Sequence, residues 1–108
     1  MEVPQLVDEK WPVRFVLVVG SRARGDHRDD SDVDIYIEAE GAPNDPREAP
    51  VVPHPRFNVL IVPAGTILAN VRAGEAYATG YAREGLVAQD DGSFRDALVA
   101  LEEEGRLD

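Results

Sequence analysis

Residues 13–34 constrain this chain more than any other stretch. A nearly continuous apolar run, Phe15-Val16-Leu17-Val18-Val19, stops at Gly20-Ser21-Arg22-Ala23-Arg24-Gly25, and Ser31-Asp32-Val33-Asp34 follows shortly after. Rich in β-branched residues and closed by glycine, 13–19 reads as a buried strand. Asp32 and Asp34 are spaced i, i+2, so on a strand they leave one face about 6–7 Å apart. A tight turn with unbonded backbone N–H groups beside two parallel carboxylates can hold a phosphate and a divalent cation together. That is the minimum equipment for metal-assisted chemistry on a nucleotide.

The rest of the chain supplies a small sheet and its helices. Residues 2–10 read as a short helix ending before Trp11-Pro12, and 21–31 as the turn with one helical turn inside it. Residues 32–38 alternate: Val33, Ile35 and Ile37 face one side, and Asp32, Asp34, Tyr36 and Glu38 the other. This predicts a half-buried strand with its polar face on the functional side. Five of the eight prolines fall in 40–55 (Pro43, Pro46, Pro50, Pro53, Pro55), which excludes a long helix and predicts a loop. Arg56 to Val62 is a third strand. Thr66 is expected to cap a helix carrying Ile67, Leu68 and Val71. A second helix is expected over 75–84, with Tyr77 and Tyr81 paired at i, i+4 and Gly85 as its stop. Leu86 to Gln89 is a short strand. Ser93 is expected to cap a last helix whose apolar face carries Phe94, Ala97, Leu98 and Leu101. The expected fold class is α/β (α+β): a small mixed β-sheet of three to five strands with two to four helices packed mainly on one face, and the site on the opposite, polar face. At 108 residues, one domain over 1–108 is expected.

Bulk properties exclude several function classes. Eleven basic against twenty-one acidic residues give a net charge of −10, so non-specific nucleic-acid binding is not expected. There is no cysteine, hence no disulfide framework and no thiolate ligand or nucleophile. The longest apolar run cannot span a bilayer, and Met1 to Lys10 does not read as a signal peptide. A cytoplasmic location without membrane association is the expectation.

Other motifs fail on inspection. Gly20 and Gly25 have P-loop spacing, but Asp26 and His27 stand where Lys and Ser or Thr belong, and Asp26 would repel the phosphates. Asp30, Asp32 and Asp34 begin like a calcium loop, but Ile35 replaces the required Gly and Gly41 the required Glu. His27 and His54 read as surface residues, Tyr77 and Tyr81 as core packing, and Glu102, Glu103 and Glu104 as a solvated helix end that opposes the macrodipole. Two carboxylates on one short strand repel, and Asp is a poor strand residue, so a bound cation is the better reading of Asp32 and Asp34.

Gly20-Ser21-Arg22-Ala23-Arg24-Gly25-Asp26 followed by Ser31-Asp32-Val33-Asp34-Ile35-Tyr36-Ile37 resembles the signature of the minimal nucleotidyltransferases of the DNA polymerase β superfamily. Phe57 to Val62 resembles the family's third core strand, and Ala82-Arg83-Glu84-Gly85-Leu86-Val87 its closing segment. The resemblance implies that Gly20 and Ser21 hold the β- and γ-phosphates of a nucleoside triphosphate, that Arg22 or Arg24 helps bind phosphate, and that Asp32 and Asp34 bind Mg²⁺. Where the family carries a third catalytic carboxylate, this chain has Asn58, which can offer an oxygen but neither charge nor basicity. Glu38 lies four residues beyond Asp34, about 13 Å along a strand, too far to replace it.

Two readings follow. One is an enzyme that transfers a nucleotidyl group, AMP from ATP, to a hydroxyl acceptor. The other is a catalytically degenerate module of the same fold that binds a protein partner without turnover, in the manner of an antitoxin. The resemblance implies a helical protein partner or a homo-oligomer in that case.

Overall fold

A computed structural model describes residues 11–25, 32–45, 48 and 56–107. In chain order the elements are β1 (Val13–Val19), α1 (Ser21–Arg24), β2 (Val33–Ala39), β3 (Phe57–Pro63), α2 (Thr66–Arg72), α3 (Ala76–Glu84), β4 (Leu86–Asp90) and α4 (Ser93–Glu103). The strands form one sheet in the order β3-β2-β1-β4. β1 runs antiparallel to both β2 and β4, and β2 pairs in parallel with β3. This is the small mixed sheet expected from the strand patterns. The readings for 2–10 and 26–31, and for most of the proline-rich stretch, lie outside the described residues. Residues 40–45 contain neither strand nor helix.

The central strands are buried because both faces of the sheet are covered. On one face Phe15, Leu17, Val19, Tyr36 and Val62 meet Ile67 and Val71 of α2, Ala78 and Ala82 of α3, and Phe94 and Leu101 of α4. On the other, Val16, Val18, Val33, Ile35, Ile37 and Ile61 cluster with Ala39 and Ala42, and Trp11 packs against them. Aromatic contacts tie the helical side together: Phe15 stacks on Tyr36 with ring centroids 6.0 Å apart, and lies 5.0 Å from Phe94.

Here the alternation in β2 misleads. Ile35 through Ala39 are all buried, so β2 is not half-exposed. The row Asp34, Tyr36, Glu38 lies on the helix-covered face, not on an open polar face. Tyr36 and Glu38 are only 1% and 2% exposed. Glu38 is tolerated because it is satisfied. Its Oε1 accepts from the Gly65 N–H at 2.7 Å, and its Oε2 accepts from the Ile67 N–H at 2.7 Å and the Tyr36 hydroxyl at 3.0 Å. Glu38 thereby caps α2 from a neighbouring strand. Thr66 is not the cap: its hydroxyl donates to the Pro63 carbonyl at 2.6 Å, and Gly65 is the N-cap. Burial pushes the Glu38 carboxyl upward against the lowering pull of these donors, and burial followed by the Glu38 charge pushes the Tyr36 phenol upward.

One more local feature differs from expectation. Ser93 does not cap α4. Asp90 Oδ1 accepts from Gly92 N (2.8 Å) and Phe94 N (3.1 Å), and Asp91 Oδ1 accepts from Ser93 N (2.9 Å). Gly80 sits inside α3, where glycine costs about 1 kcal/mol relative to alanine, yet a Cβ at Gly80 would meet nothing within 4 Å. Gly85, by contrast, is required by packing, since a Cβ there would lie 2.6 Å from the Tyr81 carbonyl. No helix among the described residues is long and apolar enough to cross a membrane.

Candidate active site

The residues singled out by the sequence gather at one end of the sheet, where β1 finishes and β2, β3 and β4 begin. Val19 pairs with Asp34, and Asp34 with Asn58. Register partners point to the same side, so these three side chains form a row across β1, β2 and β3. Asp34 is half-buried, whereas Asp32, just before β2, and Asn58 are exposed. The Asn58 amide spans both acids, with Nδ2 3.2 Å from Asp34 Oδ1 and 3.5 Å from Asp32 Oδ2. A neutral donor between two carboxylates reduces their repulsion, which a third carboxylate at that position would increase.

The turn after β1 closes against this row. Gly20 has φ 71° and ψ −146°, a conformation that L side chains rarely adopt. A Cβ on Gly20 would lie 2.5 Å from Asp34 Oδ2. The turn backbone is thus packed directly onto the carboxylate, and glycine is required twice over. α1 follows at once, with Arg24 N–H donating to the Gly20 carbonyl at 3.1 Å and Gly25 ending the turn at φ 78°. Ser21 and Arg22 are half-buried on α1, and Arg24 is exposed.

A cleft of about 180 Å³ opens over the row, lined by Val19, Asp34, Tyr36, Asn58, Leu60 and Tyr81. In keeping with the core role expected of it, Tyr81 packs on Tyr36 with centroids 5.5 Å apart. It also walls the cleft. Burial, then the nearby Asp34 charge, raises its phenol. Tyr77 departs further from the core reading: it is 46% exposed and meets Tyr81 edge-on, centroids 5.6 Å apart. The i, i+4 spacing was visible in the sequence, but nothing local indicates that this helix face borders an acid from β2.

Two carboxylates and an amide are hard oxygen donors, the kind that Mg²⁺ takes alongside phosphate oxygens. Among the described residues no three His, Cys, Asp or Glu side chains converge on a point, so the acidic part of this donor set is Asp32 and Asp34. The residues present fit one divalent cation shared with a phosphate. Glu38 is committed to α2 and plays no part here.

A family model described as the nucleotidyltransferase domain matches residues 1–78, more than two thirds of the chain. The match takes in β1, the glycine turn, Asp32, Asp34, β3 and α2. No curated protein and no solved structure gave a significant match.

Proposed function

The chain belongs to the nucleotidyltransferase domain family, and we propose that it transfers AMP from ATP to a hydroxyl acceptor in a Mg²⁺-dependent reaction. The observation that carries this reading is the packing of the Gly20 turn onto Asp34 with Asn58 alongside. Gly20 and Ser21 present backbone N–H groups to the β- and γ-phosphates, and Arg22 and Arg24 add positive charge beside them. Asp32 and Asp34 hold the cation, with Asn58 turned to offer its carbonyl oxygen. When bound, Mg²⁺ neutralises phosphate charge and makes an acceptor hydroxyl more acidic. The acceptor oxygen forms a bond to the α-phosphorus, the α–β bridging P–O bond breaks, and pyrophosphate leaves. Asn58 has no basic atom, so the acceptor's proton passes to water.

The test is release of pyrophosphate coupled to transfer of α-labelled nucleotide. Asp32→Asn is expected to abolish it. Asn58→Asp restores a base and is expected to raise the rate about a hundredfold, the low end of general-base effects. Transfer that survives in Asp32→Ala/Asp34→Ala contradicts the assignment. The bridging amide of Asn58 also favours a second reading, an antitoxin-like module that binds nucleotide and a protein partner without turnover. Mg-ATP binding with no pyrophosphate from any acceptor would select it.

A further inference from the structure

A second void, about 260 Å³, lies between α1 and α3. Gly20, Arg24, Tyr77, Gly80, Tyr81 and Glu84 are on its wall. It shares Val19 and Tyr81 with the cleft over Asp34, so the two adjoin there. Together they fall within the roughly 300–1,000 Å³ of small-molecule sites.

Two observations mark this void as a site and not a packing defect. The first is Gly80. Its backbone needs no glycine, a Cβ there would meet nothing within 4 Å, and glycine weakens the helix, so neither backbone geometry nor a close contact at that Cβ explains the residue. What its missing side chain does leave is open space on the wall. The second is Tyr77, a large aromatic ring left nearly half exposed on the same wall while Tyr81 is drawn into the core. Arg24 and Glu84 complete it with a donor and an acceptor. Aromatic surface with a few polar groups of both kinds is what a purine or pyrimidine needs, because every base has a π-face and a hydrogen-bonding edge.

We infer that the void between α1 and α3 seats the base of the nucleoside triphosphate, with Gly80 keeping it open and Tyr77 as its stacking surface. The inference rests on the nucleotide reading of the Gly20 turn and extends it, since Gly20 lies on the wall of this void and against Asp34. A bound triphosphate therefore passes over one glycine with its base on the α3 side.

The experiment is calorimetric titration of Mg-ATP and of Mg-tripolyphosphate into the full chain and into Gly80→Leu, Tyr77→Ala and Tyr77→Phe. The wild type is expected to bind Mg-ATP at least about tenfold more tightly than Mg-tripolyphosphate. Gly80→Leu replaces a poor helix residue with a good one, so its melting temperature is expected to stay or rise. It should lose the preference for Mg-ATP while its affinity for Mg-tripolyphosphate is unchanged. Tyr77→Ala should weaken Mg-ATP alone by about tenfold, and Tyr77→Phe, which keeps the ring, should not. Undiminished Mg-ATP affinity in Gly80→Leu overturns the inference, as does equal binding of the two ligands by the wild type. In either case the phosphate site stands. A wild type that binds neither ligand overturns the nucleotide reading itself, and this inference with it.

Discussion

A Cβ on Gly20 would lie 2.5 Å from Asp34 Oδ2, and the residue sits at φ 71°. Gly20→Ala should therefore lower stability by about 1–3 kcal/mol through strain, read as a shift in the urea midpoint, and should displace the Asp34 carboxylate. Glu38 is the other decisive residue. Glu38→Ala strands two backbone N–H groups and the Tyr36 hydroxyl. At about 1–3 kcal/mol per unsatisfied buried group, the loss should reach roughly 3 kcal/mol or more. The pH dependence has a definite sign. Burial raises the folded-state value of Glu38 above its ordinary 4.5, so the folded chain holds this proton more tightly. Its contribution is full below 4.5 and is lost as pH rises through the raised value. The stability difference between wild type and Glu38→Gln should accordingly move against the wild type as pH climbs from 4.5 toward neutral. The Asp32–Asp34 pair and the glycine turn were legible as residues. The task of Glu38 was not, because a carboxylate in an alternating strand looks solvated until a distant helix is known to end above it.

Apolar periodicity locates the strands and helices to within about a residue, but not the groups that cap the helices. β1, β2 and β3 fall where their β-branched runs predict. The starts of α2 and α4, however, are capped by carboxylates earlier in the chain, not by the Thr66 and Ser93 hydroxyls. Asp90→Ala should destabilise α4 by about 1–2 kcal/mol, the usual loss on removing a cap, and Ser93→Ala by much less. Equilibrium unfolding of the two variants checks the order. At the other end of α4 the acidic run is more than a solvated tip. Arg72 donates to both Glu104 carboxylate oxygens, through Nε to Oε1 at 3.0 Å and through Nη2 to Oε2 at 2.7 Å, and Arg106 donates to Oε1 at 2.8 Å. These two guanidiniums, Arg72 first, hold Glu104 down at about 2. Because the value is lowered, its stabilisation is present above 4.5 and fades as pH falls through about 2. Glu104→Gln should remove that part of the acid transition. Such a pairing joins residues 32 positions apart and has no signature in either segment.

At the scale of the whole molecule, the expected mixed sheet with its helices on one side is the fold observed. The side on which the site opens is the reverse of the expected one. A period of two says which residues share a face, but not which face the helices choose. On the face observed, Tyr36 donates to Glu38 and Glu38 accepts from the backbone at the start of α2, and Asp34 is set beside Tyr81. The sheet thus delivers two acids, an amide and a glycine turn to one rim, bordered by aromatic residues of α3. We propose this rim as a cation-dependent nucleotide site. The most direct test is calorimetric titration of ATP with and without Mg²⁺, on the wild type and on Asp32→Ala/Asp34→Ala. Binding is expected to require Mg²⁺ and to disappear in the double variant. Binding that survives both the removal of Mg²⁺ and the loss of the two acids would contradict the proposal.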